Sequence, residues 1–263
     1  MDLGLKGKVA LVAASSRGLG RAVAEELGAE GASLVLCARN AQALAETKES
    51  IIRNSAADVL AVPADVANVR DVKRVVDSGV ERFGQIDILV TNAGGPPAGK
   101  FESLTPEQWE QSVRLTLFSV IELTRHVLPG MKERGWGRIL NITSIAVKQP
   151  VENLMLSNSL RAGVTGFTRT LANEVAPAGV TVNNIMPGYT RTERVEELAV
   201  MMADKQGISP AEFKARWEQE IPMKRLGEPR EFAALAAFLV SERASYITGT
   251  SIQVDGGWIR SLL

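Results

Sequence analysis

The clearest chemical potential in this chain of 263 residues lies in one short run, Ala14-Ser15-Ser16-Arg17-Gly18-Leu19-Gly20-Arg21. It follows the aliphatic stretch Lys8 to Ala14 and leads into a helical pattern of Ala22, Val23 and Leu27. Glycines let backbone amides close around a phosphate, and the dipole at the start of a helix favours that anion. Two glycines also suit any tight strand-to-helix turn, so the run by itself leaves both readings open. A second feature bears on the choice. Dinucleotide folds that take NAD place an acid about 20 residues beyond the turn, on the ribose hydroxyl. Here the chain has Ala38-Arg39-Asn40, with no acid. Arg39 and Arg17 are placed to converge beside an adenosine ribose, and a guanidinium fork suits a 2′-phosphate. The pair favours NADP(H) over NAD(H); the alternative is two solvated surface charges.

Other reactive residue types are scarce. The single cysteine, Cys37, sits in Leu34-Val35-Leu36-Cys37-Ala38 and reads as a buried structural thiol rather than a reactive one. The single histidine, His126, lies late in a long helical pattern and reads as a structural or interface residue. One cysteine and one histidine give no cluster for a soft metal, so no metal centre is expected. Thirty basic residues balance thirty acidic ones. That balance argues against nucleic acid or an anionic membrane as the main partner and leaves a small molecule. No apolar run approaches the roughly 20 residues of a membrane span, and Met1 to Lys8 lacks the apolar stretch of a signal peptide. A cytoplasmic location is the expectation.

These residues need a scaffold, and the hydrophobic pattern supplies one. Aliphatic runs at Lys8–Ala14, Ser33–Ala38, Val59–Val62, Ile86–Thr91, Arg138–Ile142 and Val180–Ile185 alternate with segments of helical period. Because the runs are almost wholly apolar, both faces of each strand must be covered, as in a parallel sheet between helices. The expected architecture is α/β: a Rossmann-like, doubly wound parallel sheet in three αβα layers, forming one domain over residues 1–263. Thr105-Pro106-Glu107-Gln108 and Ser209-Pro210-Ala211-Glu212 mark helix starts. The first opens a long helix towards Lys132. The second lies in an insertion, Glu193 to Pro222, rich in Leu198, Val200, Met201, Met202, Phe213 and Trp217.

Taken together, the sequence resembles the short-chain dehydrogenase/reductase family, and within it the 3-oxoacyl-(acyl carrier protein) reductase-like members. The similarity spans almost the entire chain. Ala13 to Gly20 resembles the family's glycine-rich turn, Asp65-Val66 its adenine-side acid, and Asn92-Ala93-Gly94 its turn after strand four. Asn141-Ile142-Thr143-Ser144 resembles the strand bearing its catalytic serine. Pro187-Gly188-Tyr189-Thr190-Arg191-Thr192 resembles its nicotinamide-side loop, and Asp255-Gly256-Gly257 its carboxyl-terminal strand. The resemblance implies that these positions hold the cofactor, that the insertion is a substrate lid, and that the protein is a homotetramer. For the insertion, a structural helix pair is an equal alternative.

The pattern breaks where the chemistry would occur. The family's initial Thr-Gly is Ala13-Ala14, so Ala14 must take a negative φ or be strained. At the position of the family's proton-donating tyrosine stands Ser157, at that of its lysine Arg161, and at that of its asparagine Thr116; Ser144 is retained. A serine hydroxyl ionises more like water, far above a phenol at about 10. Arg161 stays charged and can clamp ribose hydroxyls but cannot shuttle protons. Tyr189 is the substitute acid the loop offers, its alternative role being to pack over the cofactor. Arg161 and Ser144 together offer a third route, electrostatic polarisation of a carbonyl with water as proton source. Two functions follow: an NADP(H)-dependent oxidoreductase on a carbonyl or alcohol, a 3-oxoacyl thioester among the candidates, or a non-catalytic NADP(H)-binding subunit partnering an active homologue.

Overall fold

The computed structural model describes residues 2–262. The aliphatic runs become strands β1 (Val9–Ala13), β2 (Ser33–Ala38), β3 (Val59–Pro63), β4 (Ile88–Thr91), β5 (Gly137–Ile142) and β6 (Val180–Pro187), joined by β7 (Ser251–Val254). The last strand ends before the segment expected to carry it. Asp255 instead folds the chain into a turn, its carboxylate accepting from the amides of Gly257 and Ile259 at 2.9 Å each. The helices are α1 (Gly18–Ala29), α2 (Ala41–Asn54), α3 (Val69–Phe83), α4 (Pro106–Val113), α5 (Ser119–Glu133), α6 (Met155–Val175), α7 (Glu193–Gln206), α8 (Pro210–Glu220) and α9 (Pro229–Leu239).

All seven strands are parallel, in the order β3-β2-β1-β4-β5-β6-β7. The strand order reverses between β1 and β4, which opens a crevice above their carboxyl ends, where such sheets bind ligands. Strand β1 shows why both faces had to be apolar. Ala10 and Val12 join a core with Val23 and Leu27 of α1, Leu44 of α2 and Phe232 of α9. Val9, Leu11 and Ala13 face a second core with Val72 of α3, Leu123 of α5 and Leu171 of α6. Burying such side chains stabilises the fold by roughly 1.5–3 kcal/mol each.

Both capping boxes form, Thr105 with Gln108 and Ser209 with Glu212. The long helix expected after Thr105 is not uniform: a π-helical turn, Arg114–Phe118, separates α4 from α5. Helices α7 and α8 fill the insertion with a cluster of their own, Ala199, Ala203, Phe213, Trp217 and Ile221. Their neck is narrow. Thr190 bridges Gly227; the Arg191 amide donates to the Gly227 carbonyl at 2.9 Å, and the Gly227 amide donates to that of Tyr189 at 3.0 Å.

A polar seam crosses the sheet beneath the crevice. Thr91, Asn141, Asn184 and Ser251 stand in register on four neighbouring strands. Thr91 Oγ1 donates to Asn141 Oδ1 at 2.6 Å, Asn141 Nδ2 to Thr168 Oγ1 at 2.9 Å, Thr168 Oγ1 to Asn184 Oδ1 at 2.7 Å, and Asn184 Nδ2 to Ser251 Oγ at 3.0 Å. Thr168 of α6 thus ties the helix to the strands below the site.

Candidate functional site

The turn after β1 is tight and glycine-dependent. Ala14 has a φ of +49°, so it takes the left-handed conformation that a glycine would occupy more cheaply. The negative φ that would have spared it strain is not adopted. Gly18 follows at +56°. A Cβ on Gly20 would lie 2.3 Å from the Ala14 carbonyl oxygen and 2.8 Å from Asn92 Nδ2, so only glycine allows α1 this close to the turn. Ser15 is buried, its amide donating to the Cys37 carbonyl at 3.1 Å. Helix α1 begins at Gly18 and Leu19 with no side-chain cap and no acid in its first turn. By contrast, Asn40, Asn68, Thr105, Thr192 and Ser209 cap α2, α3, α4, α7 and α8. Uncapped amides suit a phosphate, although Glu193 Oε2 from the start of α7 lies 3.6 Å from where a Gly18 Cβ would be.

Around that turn the other cofactor-side candidates have visible structural tasks. Arg17 and Arg39 are both exposed; Arg39 directly follows β2. Arg17 Nη1 lies 3.3 Å from Glu197 Oε1 on α7. Ser16 offers its carbonyl to Thr47 Oγ1 at 3.2 Å. Asn40 accepts from the Ala43 amide at 3.0 Å, Asp65 Oδ1 accepts from the Ala67 amide at 2.9 Å, and Val66 packs on the second core. Asn92 and Ala93 are half-buried after β4, and the space beside Gly94 is open. Pro187 ends β6, and the Gly188 amide donates to the Val254 carbonyl at 2.9 Å. Thr190 is buried, and Thr192 Oγ1 accepts from the Val195 amide at 3.4 Å.

On the other side of the crevice, α6 packs against both the π-helical turn and the turn after β5 that carries Ser144. Ser144 Oγ accepts from the Ala146 amide at 3.1 Å, which leaves its own hydrogen to donate. Ser157 is half-buried in the first turn of α6. Arg161, one turn later, donates through Nη1 to the carbonyls of Ile142 and Thr143 at 2.9 and 2.8 Å. Burial and the neighbouring Arg194 lower its pKa to about 10, so it stays charged near neutrality. Thr116, in the π-helical turn, is only 4% exposed, and its Oγ1 has no hydrogen-bond partner.

Tyr189 is drawn into the insertion. Its ring stacks on Trp217 with centroids 4.4 Å apart and meets Trp258 edge-on at 5.8 Å. Burial, helped by Glu220, pushes its phenol up to about 12. The geometry supports packing, because a harder phenol is a poorer acid near neutrality. Cys37 is buried with its thiol raised to about 12 by burial, and His126 is half-buried on α5. Among the described residues no three side chains are grouped to hold a metal, and no helix is long and apolar enough to cross a membrane. Sequence reasoning missed Arg194, whose Nη2 donates to the Pro96 carbonyl at 3.1 Å. Its only signal was an arginine two residues after Thr192, the cap of α7.

Comparison with known proteins decides the family. A family model described as enoyl-(acyl carrier protein) reductase matches residues 13–259. The 3-oxoacyl-(acyl carrier protein) reductase of Vibrio cholerae is 34% identical over 255 residues, covering 97% of this chain and 98% of that protein. The chain belongs to the short-chain dehydrogenase/reductase family. Solved short-chain reductases superimpose closely. L-sorbose reductase from Gluconobacter frateurii, complexed with NADPH and L-sorbose, gives a TM-score of 0.95 at 36% identity, covering both chains fully. Actinorhodin polyketide ketoreductase with NADPH gives 0.93 at 34% identity, covering 97% of this chain and 98% of that one. Against these short-chain dehydrogenase/reductase relatives the doubly wound sheet is the shared scaffold.

Proposed function

We propose that the protein is an NADP(H)-dependent oxidoreductase acting on a small carbonyl or alcohol, with Ser144 and Arg161 carrying the polar work. The observation that carries this reading is the pairing of an uncapped α1, fit for a phosphate, with a half-buried cation beside a serine whose proton is free. The residues that would hold the cofactor are Ala14 to Gly20, Asp65, Val66, Asn92 to Gly94, Pro187, Gly188, Thr190 and Thr192. Arg17 and Arg39 would take the 2′-phosphate, and Asn40 would start the helix beside it. The cofactor supplies or accepts a hydride.

This chain's own residues orient the oxygen and tolerate its charge. Ser144 donates to the substrate oxygen, and Ser157 offers a second hydroxyl from the adjacent turn. The Arg161 charge favours the alkoxide as it develops. The proton then comes from water, for which Thr116 Oγ1 is a buried docking point. The insertion formed by α7 and α8 covers the crevice as a lid. Phe118, half exposed between α4 and α5, suits the contacts of a homotetramer.

Purified protein titrated with NADPH and NADH tests the cofactor, and a panel of 3-oxoacyl thioesters, ketones and quinones tests the reaction. NADPH should bind more tightly, and Ser144→Ala should abolish turnover. Absence of turnover with every substrate removes the enzymatic reading. The second reading, a non-catalytic NADP(H)-binding subunit, is favoured by one observation: Ser157 and Arg161 together offer no phenol and no lysine. If activity arises only in Ser157→Tyr with Arg161→Lys, the natural protein is a binder.

A further inference from the structure

Two arginines approach the reaction side of the crevice from opposite directions. Arg161 rises from α6, with Nη1 committed to the Ile142 and Thr143 carbonyls. Arg194 descends from the first turn of α7, its Nη2 on the Pro96 carbonyl, and a Cβ on Gly95 would come within 2.9 Å of its Nε and Nη2. The loop bearing Gly95 and Pro96 is itself pinned to the start of α6. The Gly99 amide donates to the Asn153 carbonyl at 2.6 Å, and the Met155 amide donates to the Gly99 carbonyl at 3.4 Å. The loop that Arg194 grips is therefore fixed to the start of the helix that carries Arg161.

Charge there is unbalanced. Half-buried Arg161 bonds only carbonyl oxygens, those of Ile142 and Thr143, and among the described residues no carboxylate comes within 4.0 Å of it. Arg194 reaches Glu197 only at 3.7 Å, and Glu197 also serves Arg17. Glu193 is turned towards Gly18 on the phosphate turn. A neutral ketone uses only one of these charges, and only as its oxygen becomes the alkoxide. A substrate with a resident negative group uses both, since a guanidinium edge matches a carboxylate or phosphate through paired hydrogen bonds. Two cations then face two negative charges, the resident anion and the oxygen that becomes alkoxide.

Resting on the function proposed above, we infer that Arg161 and Arg194 form an anion subsite, and that the substrate is a carbonyl or alcohol bearing a carboxylate or phosphate near the reacting carbon. Arg194 is the specificity-determining residue, reaching from α7 to the loop after β4, so the anion ties α7 to the bound substrate.

The test is calorimetric and needs no turnover. Protein saturated with NADP+ is titrated with acetoacetate, acetonylphosphonate and the neutral ester methyl acetoacetate. One or both anions should bind roughly tenfold or more tightly than the ester, and which one does identifies carboxylate or phosphate. Arg194→Met should remove that advantage while leaving ester and NADP+ affinities in place, and Arg194→Lys should restore part of it. The inference is overturned if the ester matches both anions, if neither anion binds at millimolar levels, or if Arg194→Met leaves anion affinity unchanged. It is also overturned if Arg194→Met weakens NADP+ instead, which would assign the arginine to the cofactor diphosphate. Failure of the wild-type protein to bind NADP+ overturns the function proposed above separately, and the same three titrations on the protein alone then decide the anion subsite.

Discussion

Arg17, at the start of α1, is joined across the mouth of the crevice to Glu197 on α7, Nη1 to Oε1 at 3.3 Å. Both side chains are at least half exposed, so the pair contributes on the order of 0.2–1 kcal/mol. On the proposed reading it competes with a 2′-phosphate for the same guanidinium. Glu197→Gln should therefore tighten NADPH binding up to about fivefold and leave NADH unchanged. Arg17→Ala should weaken NADPH selectively. Fluorescence titration at low and high salt checks both, and equal effects on the two nucleotides would place Arg17 elsewhere.

Ala14 bears a conformational cost that glycine would not. With φ at +49°, its Cβ is crowded against its own backbone, a penalty of about 1 kcal/mol or slightly more. Ala14→Gly should stabilise the protein by about that amount and raise the melting temperature by roughly 2–4 °C. An unchanged or lowered melting temperature in a thermal scan counts against strain at this position.

Thr168 holds the polar seam together at its centre. Its hydroxyl accepts from Asn141 and donates to Asn184, both fully buried. Thr168→Val keeps the shape and strands both amides, at a cost of about 2–4 kcal/mol. Thr168→Ser, which restores the hydroxyl, should recover most of the loss. Urea unfolding of the two variants separates the hydrogen bonds from simple packing.

Tyr189 makes alkaline stability a reporter of its stacking. Its phenol ionises at about 12 in the folded protein, because burial and then Glu220 disfavour the charged form. The ordinary value, about 10, applies when unfolded. Stability from this group is complete below about pH 10 and is lost as pH rises towards about 12. Unfolding midpoints measured at about pH 9 and about pH 11 should fall further in the wild type than in Tyr189→Phe. Parallel declines would mean that the ring is more open to water than its stack with Trp217 implies.

The scaffold was legible because apolar runs and capping chemistry are local signals. Strands β1 to β6 fell within a few residues of their expected bounds, and Thr105 and Ser209 cap as their sequences indicate. The site was legible only in part. Glycine spacing marked the tight turn after β1, but no pattern told that Ala14 would adopt a glycine conformation or that Arg161 would hook the end of β5. Such details depend on partners distant in the chain. The π-helical turn at Thr116 escaped for another reason: π and α turns present nearly the same hydrophobic periodicity, so one added residue is invisible to it. Arg194 and the Thr91-to-Ser251 seam were hidden because each joins residues far apart in the chain.

The narrow neck at Thr190 and Gly227 makes the stretch between them a detachable cassette. The chain from Arg191 to Leu226 leaves and rejoins the sheet side by side, and its further ties are side-chain contacts such as Arg17 with Glu197 and Arg225 with Glu231, so its length and lining can change while β6 keeps its place. Selection could retune what the crevice admits by rewriting this cassette alone, while the nucleotide turn and the strands beneath stay as they are.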